Sequence, residues 1–137
     1  MTDSSATGLH QAFAELIARD DQRTRHRFFD ALLASRIYMT HRDGPQLTGT
    51  AYRLEDGSLS MPAFTDEIAL RTWIRKDTPY GTMPAKSFFS AALKMGVDNV
   101  MINPGGAALQ INRPSMILLA RGINPASIPQ ASITVDT

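Results

Sequence analysis

Apolar residues recur at three- and four-residue spacing in the first third of the chain, first over 9–18 and again over 28–33. This spacing places them on one face of a helix. We therefore predict two helices with a polar break at 19–22 between them, the second ending near Ser35. The stripes that face the core consist of Leu9, Ala12, Phe13, Leu16 and Ile17, and of Phe28, Phe29, Leu32 and Leu33.

Short β-favouring runs follow, separated by turn-forming residues. Residues 37–39 form the first run, and the segments 51–54 and 58–64 flank the tripeptide Glu55-Asp56-Gly57. Asp-Gly between such segments favours a hairpin, because glycine accepts a positive φ. Pro62 cannot donate a ladder hydrogen bond, so we expect an edge position or a bulge there.

Helix start and stop signals dominate the second half of the chain. Thr65 is the expected cap of a third helix, and the acidic residues after it suit the positive end of the helix dipole. Pro84 near a first helical position and Gly96 after the last one bracket a fourth helix. Asn112 is the expected cap of a fifth helix.

The remaining strands enclose a tight turn. Residues 100–102 and 107–111 favour β-structure and flank Asn103-Pro104-Gly105-Gly106 at 103–106. Together these elements predict an α/β fold of the α+β type, a small mixed β-sheet with about four or five strands packed by about four or five helices. We expect a single domain over 1–123 and a loosely ordered tail over 124–137.

Charge and cysteine content narrow the classes of function. The 14 Lys plus Arg and 13 Asp plus Glu leave a formal net charge of +1, so no global field favours nucleic acid or an anionic membrane. The lack of cysteine excludes disulfides, thiolate nucleophiles and cysteine zinc sites and suits a reducing compartment. The longest apolar run, 116–120, is far shorter than the roughly 20 residues that span a bilayer. We expect a soluble, cytoplasmic protein with no nucleic-acid or membrane partner.

Three motifs occur in order from residue 36 onward. They are Arg36-Ile37-Tyr38 after the second helix, Leu59 to Phe64 followed by Thr65-Asp66-Glu67 and Trp73, and Val100 to Gly105 with its Asn103-Pro104-Gly105 turn. This order resembles the N-terminal domain of the SseB family, bacterial proteins named for an enhanced-serine-sensitivity phenotype. The resemblance implies helices packed on a small mixed sheet and a regulatory or binding role, and it supplies no catalytic residues. It also implies a second, C-terminal domain in larger relatives, for which the 124–137 tail is the expected attachment point.

The turn at 103–106 is the candidate for a small ligand. Successive backbone N–H groups in such a turn could bind an anion. The turn lacks the Gly-Lys-Ser/Thr ending of a P-loop, so hairpin geometry is the preferred interpretation. A metabolite-binding protein or an enzyme with a pocket near this turn is the alternative hypothesis.

Metal binding finds little support in the sequence. His10, His26 and His41 fall on three different predicted elements. Among them, only His26 has a carboxylate, that of Asp30, at helical spacing, and such a pair is more often a solvated helix contact. We expect no metal and no cofactor.

Nucleic-acid binding and nucleophilic catalysis are also disfavoured. The arginines of 19–27 are diluted by acidic neighbours and lack an aromatic stacking platform, so an ordinary charged face is preferred. A triad built from Ser87, His41 and Asp98 is a combination that a chain of this length provides by chance. We expect no enzymatic activity.

Neighbouring aromatic residues are the feature that best indicates a function. In Phe28-Phe29 and Phe88-Phe89, one ring of each pair must face away from a simple core stripe. Burial between two layers is the competing explanation. We predict a non-catalytic binding or regulatory domain that docks a protein partner or its own copy. The expected anchors of its interaction surface are Tyr52, Trp73, Tyr80 and Phe88.

Overall fold

The computed structural model describes residues 4–40, 51–73, 80–104 and 108–127, with side chains from residue 8 onward. Within these ranges five α-helices and six strands give the mixed α+β fold that the sequence predicts. The helices are α1 (Ser4–Ala18), α2 (Gln22–Leu33), α3 (Glu67–Trp73), α4 (Ala85–Lys94) and α5 (Arg113–Ala120). The strands are β1 (Arg36–Thr40), β2 (Tyr52–Arg53), β3 (Leu59–Ala63), β4 (Tyr80–Pro84), β5 (Asn99–Ile102) and β6 (Leu109–Asn112).

The strands form two small sheets, which are joined by a single backbone bridge among the described residues. One sheet has the order β2-β3-β5-β6, with β3 and β5 parallel and the other pairs antiparallel, and the second sheet is the antiparallel pair β1-β4. Tyr38 of β1 and Phe64, just after β3, exchange backbone N–H···O bonds of 3.0 and 2.9 Å. β1 and β2 therefore lie one after the other along the same side of β3.

Pro62 lies on β3, an interior strand of the sheet, but its nitrogen faces a point where that side of β3 has no described partner, so the position is an edge locally. It is opposite Met101 of β5. Backbone polar groups alternate in direction along a strand. Because those of Phe64 point toward β1, the nitrogen of Pro62 points to the same side, between the pairing at Ser60 and the bridge at Phe64. No described residue pairs with it there, so the missing N–H costs no ladder hydrogen bond.

The main core lies between one face of the sheets and helices α1, α2, α4 and α5. Alternate strand residues supply the sheet side of this core, and the apolar stripes of the helices supply the other. The largest fully buried side chains of this cluster are Phe28, Phe88, Phe89, Leu9, Leu32, Ile37, Met39, Met61, Ile102 and Met116. The competing explanation for Phe88-Phe89 is therefore confirmed, because both rings are buried.

Helix ends follow the predicted signals with one exception. Asn112 caps α5, its side chain accepting from the N–H of Ser115, and Pro84 directly precedes α4. The cap of α3 is Asp66 instead of Thr65, since its carboxylate accepts from the N–H of Ala69 at 2.8 Å. Asp66 is the better placed of the two because it directly precedes the first helical residue.

Part of the expected tail is packed against α2. Asn124 is buried, and its Nδ2 donates to the carbonyl of His26 and to the carboxylate of Asp30, each at 3.0 Å. Pro125–Ser127 follow as a 3-10 turn. Ordered structure therefore continues past residue 123, while the rest of the expected tail lies outside the described residues.

Candidate interaction surface

α3 covers the sheet face opposite the main core. Alternation places Tyr38, Tyr52 and Phe64 on this face, while their neighbours Ile37 and Met39 belong to the main core. Phe64 is fully buried without being part of that core. The short helix thus creates a second, smaller apolar contact on the outside of the sheet.

One flank of α3 carries a pair of aromatic rings. The Trp73 ring lies 5.7 Å from the ring of Phe64 and 6.2 Å from that of Tyr52, centroid to centroid, with tilted planes. Such spacing is typical of stabilising aromatic pairs. Trp73 is nevertheless 40% exposed, and Ile68 on the same helix is 79% exposed. Phe64 therefore supports Trp73 from beneath while its outer side faces solvent.

The other flank of α3 carries Tyr80. Its ring lies 5.9 Å from that of Tyr38, and the Arg71 guanidinium carbon lies 4.9 Å from its centroid, a cation–π contact. Burial raises the pKa of the Tyr80 hydroxyl, and so do the charge of Glu67 and a hydrogen bond with its carboxylate. Arg71 also pairs with Glu67, Nε to Oε2, at 3.8 Å.

The first turn of α3 is fixed by polar contacts from two other elements. Nδ1 of His10 in α1 lies 3.2 Å from Oδ2 of Asp66, the residue that caps α3. The Asn103 side chain after β5 binds both the backbone and the hydroxyl of Thr65. α3 is therefore held at its start by the cap and by contacts to α1 and β5.

The four expected anchors do not form one surface. Tyr52 and Trp73 are in contact on one flank of α3, and Tyr80 lies on the other flank. Phe88 is 0% exposed within the main core, because its position on α4 faces the sheet. Phe88 therefore cannot anchor a partner, and expecting it in the interaction surface is a mistake that the burial corrects.

Ile68 and Phe64 were missing from the expected set, although the sequence carries a signal for one of them. Leu70 is the buried residue of α3, and Ile68 lies two positions before it, about 200° around a helix. Because Leu70 faces the sheet, the side chain of Ile68 on the opposite side of the helix faces solvent. Phe64 had no such signal, since its support of Trp73 depends on where α3 packs.

The other candidate sites hold ordinary structural contacts where the structure describes them. His26 and Asp30 face each other at 3.7 Å as an exposed i,i+4 pair, which is the solvated contact that we preferred. Over 8–40, 51–73, 80–104 and 108–127, no cluster of three or more metal-ligating side chains occurs. His41 of the chance triad and Gly105 and Gly106 of the turn lie outside the described residues.

Three of the four arginines of 19–27, Arg19, Arg25 and Arg27, form ion pairs. Arg25 binds the carboxylate of Asp20 with contacts of 2.6 and 3.0 Å, and Nη1 of Arg27 lies 2.6 Å from Glu15. Arg25 holds the pKa of Asp20 below its ordinary value of 3.8 through their hydrogen bond. This arrangement is the charged face that the sequence favours.

Two buried polar atoms belong to neighbouring residues of β3 and β5. Ser60 and Asn99 are register partners on the outer face of the sheet and are 0% and 5% exposed. Neither Oγ of Ser60 nor Oδ1 of Asn99 has a hydrogen-bond partner among the described residues. Buried polar groups are normally satisfied, so this pair is an exception within the fold.

Comparison with known protein families identifies a match. The family model described as the SseB protein N-terminal domain matches residues 9–116. This range begins in α1, contains all six strands and the whole of α3, and ends in α5. No curated protein and no solved structure matches the chain.

Proposed function

Because this chain belongs to the SseB family through its N-terminal domain, we propose that it is a non-catalytic binding domain with a regulatory role, which docks a partner protein on α3. The docking surface is the flank formed by Tyr52 and Trp73. The observation that carries the proposal is that Trp73 contacts the fully buried ring of Phe64 and is nevertheless 40% exposed.

Physical chemistry favours this flank over the rest of the surface. Aromatic residues that are already held rigid lose little side-chain entropy on binding, and Trp and Tyr are enriched among residues that dominate interface energies. Trp73 meets both conditions because Phe64 and Tyr52 restrict its ring.

A non-catalytic role agrees with the polar contacts of the described residues. His10 and His26 each face a carboxylate, and neither faces a serine or threonine hydroxyl in the part of the chain that the structure describes. A nucleophile activated by a histidine base needs such a contact. The amide of Asn103, at the start of the turn considered for an anion, already binds Thr65.

We further propose that the protein acts in the bacterial cytoplasm without a cofactor. The complete lack of cysteine suits a reducing compartment, because small secreted domains commonly depend on disulfides. No described helix has the length and apolar character needed to cross a membrane. The family itself is bacterial, as the resemblance implies.

The test uses the fact that Trp73 is the only tryptophan in the chain. Immobilised protein is exposed to a bacterial lysate, and a retained protein is identified and purified. It is then titrated against the free chain while Trp73 fluorescence is recorded. Saturable binding with a blue shift of the emission supports docking on this flank, since desolvation of the indole causes the shift.

Variants make the test specific. Tyr52→Ala and Trp73→Ala should weaken binding about tenfold or more. Ile117→Ala is the matched control, because Ile117 is a similarly exposed apolar residue on α5. Binding that is unchanged in Trp73→Ala, or that leaves the fluorescence of the wild-type chain unaltered, contradicts the proposal.

A further inference from the structure

β4 has one edge at which no described strand pairs. Among the described strands its single neighbour is β1. Tyr38 directs its backbone N–H and C=O toward Phe64, so the alternate residues of β1 face β4. The N–H of Ala85 donates to the carbonyl of Ser35 at 3.1 Å, which confirms the same alternation at the end of the pair. The backbone groups of Tyr80 and Thr82 therefore point away from β1, toward that edge.

This edge offers a donor and an acceptor from each of two residues. Pro84, the next residue that points outward, has no N–H to donate. The contact at this edge in the described chain comes from Arg36, whose Nη2 donates to the carbonyl of Thr82 at 3.1 Å and whose Nε donates to Oγ1 at 2.9 Å. A carbonyl oxygen has two lone pairs, so the Thr82 carbonyl can accept a second hydrogen bond.

We propose that β4 pairs antiparallel with β4 of a second copy of this chain, across a two-fold axis at Gly81. In this register Tyr80 of one copy is opposite Thr82 of the other, and the two residues exchange both of their backbone hydrogen bonds. The alternative register, with Tyr80 opposite Pro84, leaves the carbonyl of Tyr80 without a donor. Gly81 meets its own copy in the narrow, non-hydrogen-bonded position, where the absence of a side chain permits close approach.

Charge favours a second copy over an unrelated strand. Arg36 has no carboxylate partner among the described residues and lies over Thr82. The proposed register brings Tyr80 of the other copy next to that Thr82, and Glu67 lies near Tyr80 because Arg71, which lies over the Tyr80 ring, pairs with the Glu67 carboxylate. Each Arg36 thus comes close to a Glu67 of the other chain. The same edge carries both members of the charge pair, as an isologous two-fold interface requires.

The test is the oligomeric state of the full chain, measured by sedimentation over a range of concentrations. Thr82→Pro removes an N–H that points away from β1 and leaves the β1–β4 ladder intact. Thr82→Val is the matched control, because it removes the hydroxyl and keeps the N–H. We expect wild type and Thr82→Val to be dimers and Thr82→Pro to dissociate with a Kd at least about tenfold higher.

A charge exchange provides a second measurement. Arg36→Glu should raise the dimer Kd about threefold to tenfold, and Arg36→Glu with Glu67→Arg should restore it. Circular dichroism verifies that each variant is folded. A wild-type chain that stays monomeric at its highest soluble concentration overturns the proposal, as does a dimer unaffected by Thr82→Pro and Arg36→Glu. Failure here is distinct from failure of partner docking, because that docking is read from Trp73→Ala on the other flank of α3.

Discussion

The side-chain amide of Asn103 binds Thr65 twice. Its Oδ1 accepts from the N–H of Thr65 at 3.1 Å, and its Nδ2 donates to Oγ1 of Thr65 at 3.2 Å. Asn103 directly follows β5 and Thr65 closely follows β3, and these parallel strands end at the same edge of the sheet. The pair therefore ties the start of α3, and with it Trp73, to the end of β5.

Replacing Asn103 should destabilise the fold by two separable effects. Its φ is +53°, a conformation that asparagine and glycine tolerate better than alanine. Asn103→Gly loses the hydrogen bonds only, whereas Asn103→Ala also strains the backbone. We expect losses of about 1–3 kcal/mol for glycine and about 1 kcal/mol more for alanine in urea denaturation. Equal stability of the two variants would contradict the role of the backbone conformation.

Phe88 and Trp73 should differ sharply in their effect on stability. Phe88→Ala opens a cavity in the main core and should cost about 3–5 kcal/mol. Trp73→Ala removes a ring that is 40% exposed, so a loss below about 2 kcal/mol is expected. Urea denaturation of both variants gives the comparison. A larger loss of unfolding free energy for Trp73→Ala than for Phe88→Ala would show that Trp73 mainly stabilises the fold.

The sequence predicts helix caps, turns and core-facing helix stripes well, because each depends on one or a few neighbouring residues. The Asn112 cap, the hairpin at Gly57 and the core stripes of α1 and α2 are confirmed, because each depends on contacts within a few residues. β4 was missed. Its sequence contains Gly81 and ends in Pro84, residues that normally weaken a strand, and its pairing with β1 depends on residues at least forty positions away.

Burial was harder to predict than secondary structure. Phe88 and Tyr80 both lie in aromatic-rich segments. Phe88 is fully buried, however, whereas Tyr80 lies beside α3. The difference arises from the layer that covers each side of the sheet. Four helices cover one face and the short α3 covers part of the other, an arrangement that no local pattern encodes.

Glu67 should control the ionisation of Tyr80. Burial raises the pKa of Tyr80, and the carboxylate of Glu67 raises it further through its charge and a hydrogen bond. Glu67→Gln removes the charge, so the pKa of Tyr80 should fall. Titration of phenolate absorbance measures this, with Tyr80→Phe to assign the signal. An unchanged titration in Glu67→Gln would show that the carboxylate has no influence on Tyr80.

Asp21 should make the stability of α2 sensitive to acid. Its carboxylate accepts from the N–H of Thr24 at 2.9 Å, and this hydrogen bond is the main reason that its pKa lies below 3.8. A lowered pKa stabilises the fold fully above the unfolded-state value, and this stabilisation is lost as the pH falls through the folded-state value. Asp21→Asn keeps an uncharged cap. It should match wild type near neutrality and lose less stability between about pH 5 and about pH 2.

The unpartnered hydroxyl of Ser60 predicts an unusual response to truncation. A buried hydroxyl that donates to nothing keeps its desolvation cost without the compensating hydrogen bond. Ser60→Ala should therefore leave the free energy of unfolding unchanged or raise it by up to about 1 kcal/mol. Thr65→Val is the control, since the Thr65 hydroxyl accepts from Asn103 and its loss should cost about 1–2 kcal/mol. If thermal and urea denaturation instead show Ser60→Ala to be as damaging as Thr65→Val, the hydroxyl has a partner in solution, and an ordered water shared with Oδ1 of Asn99 would satisfy both atoms.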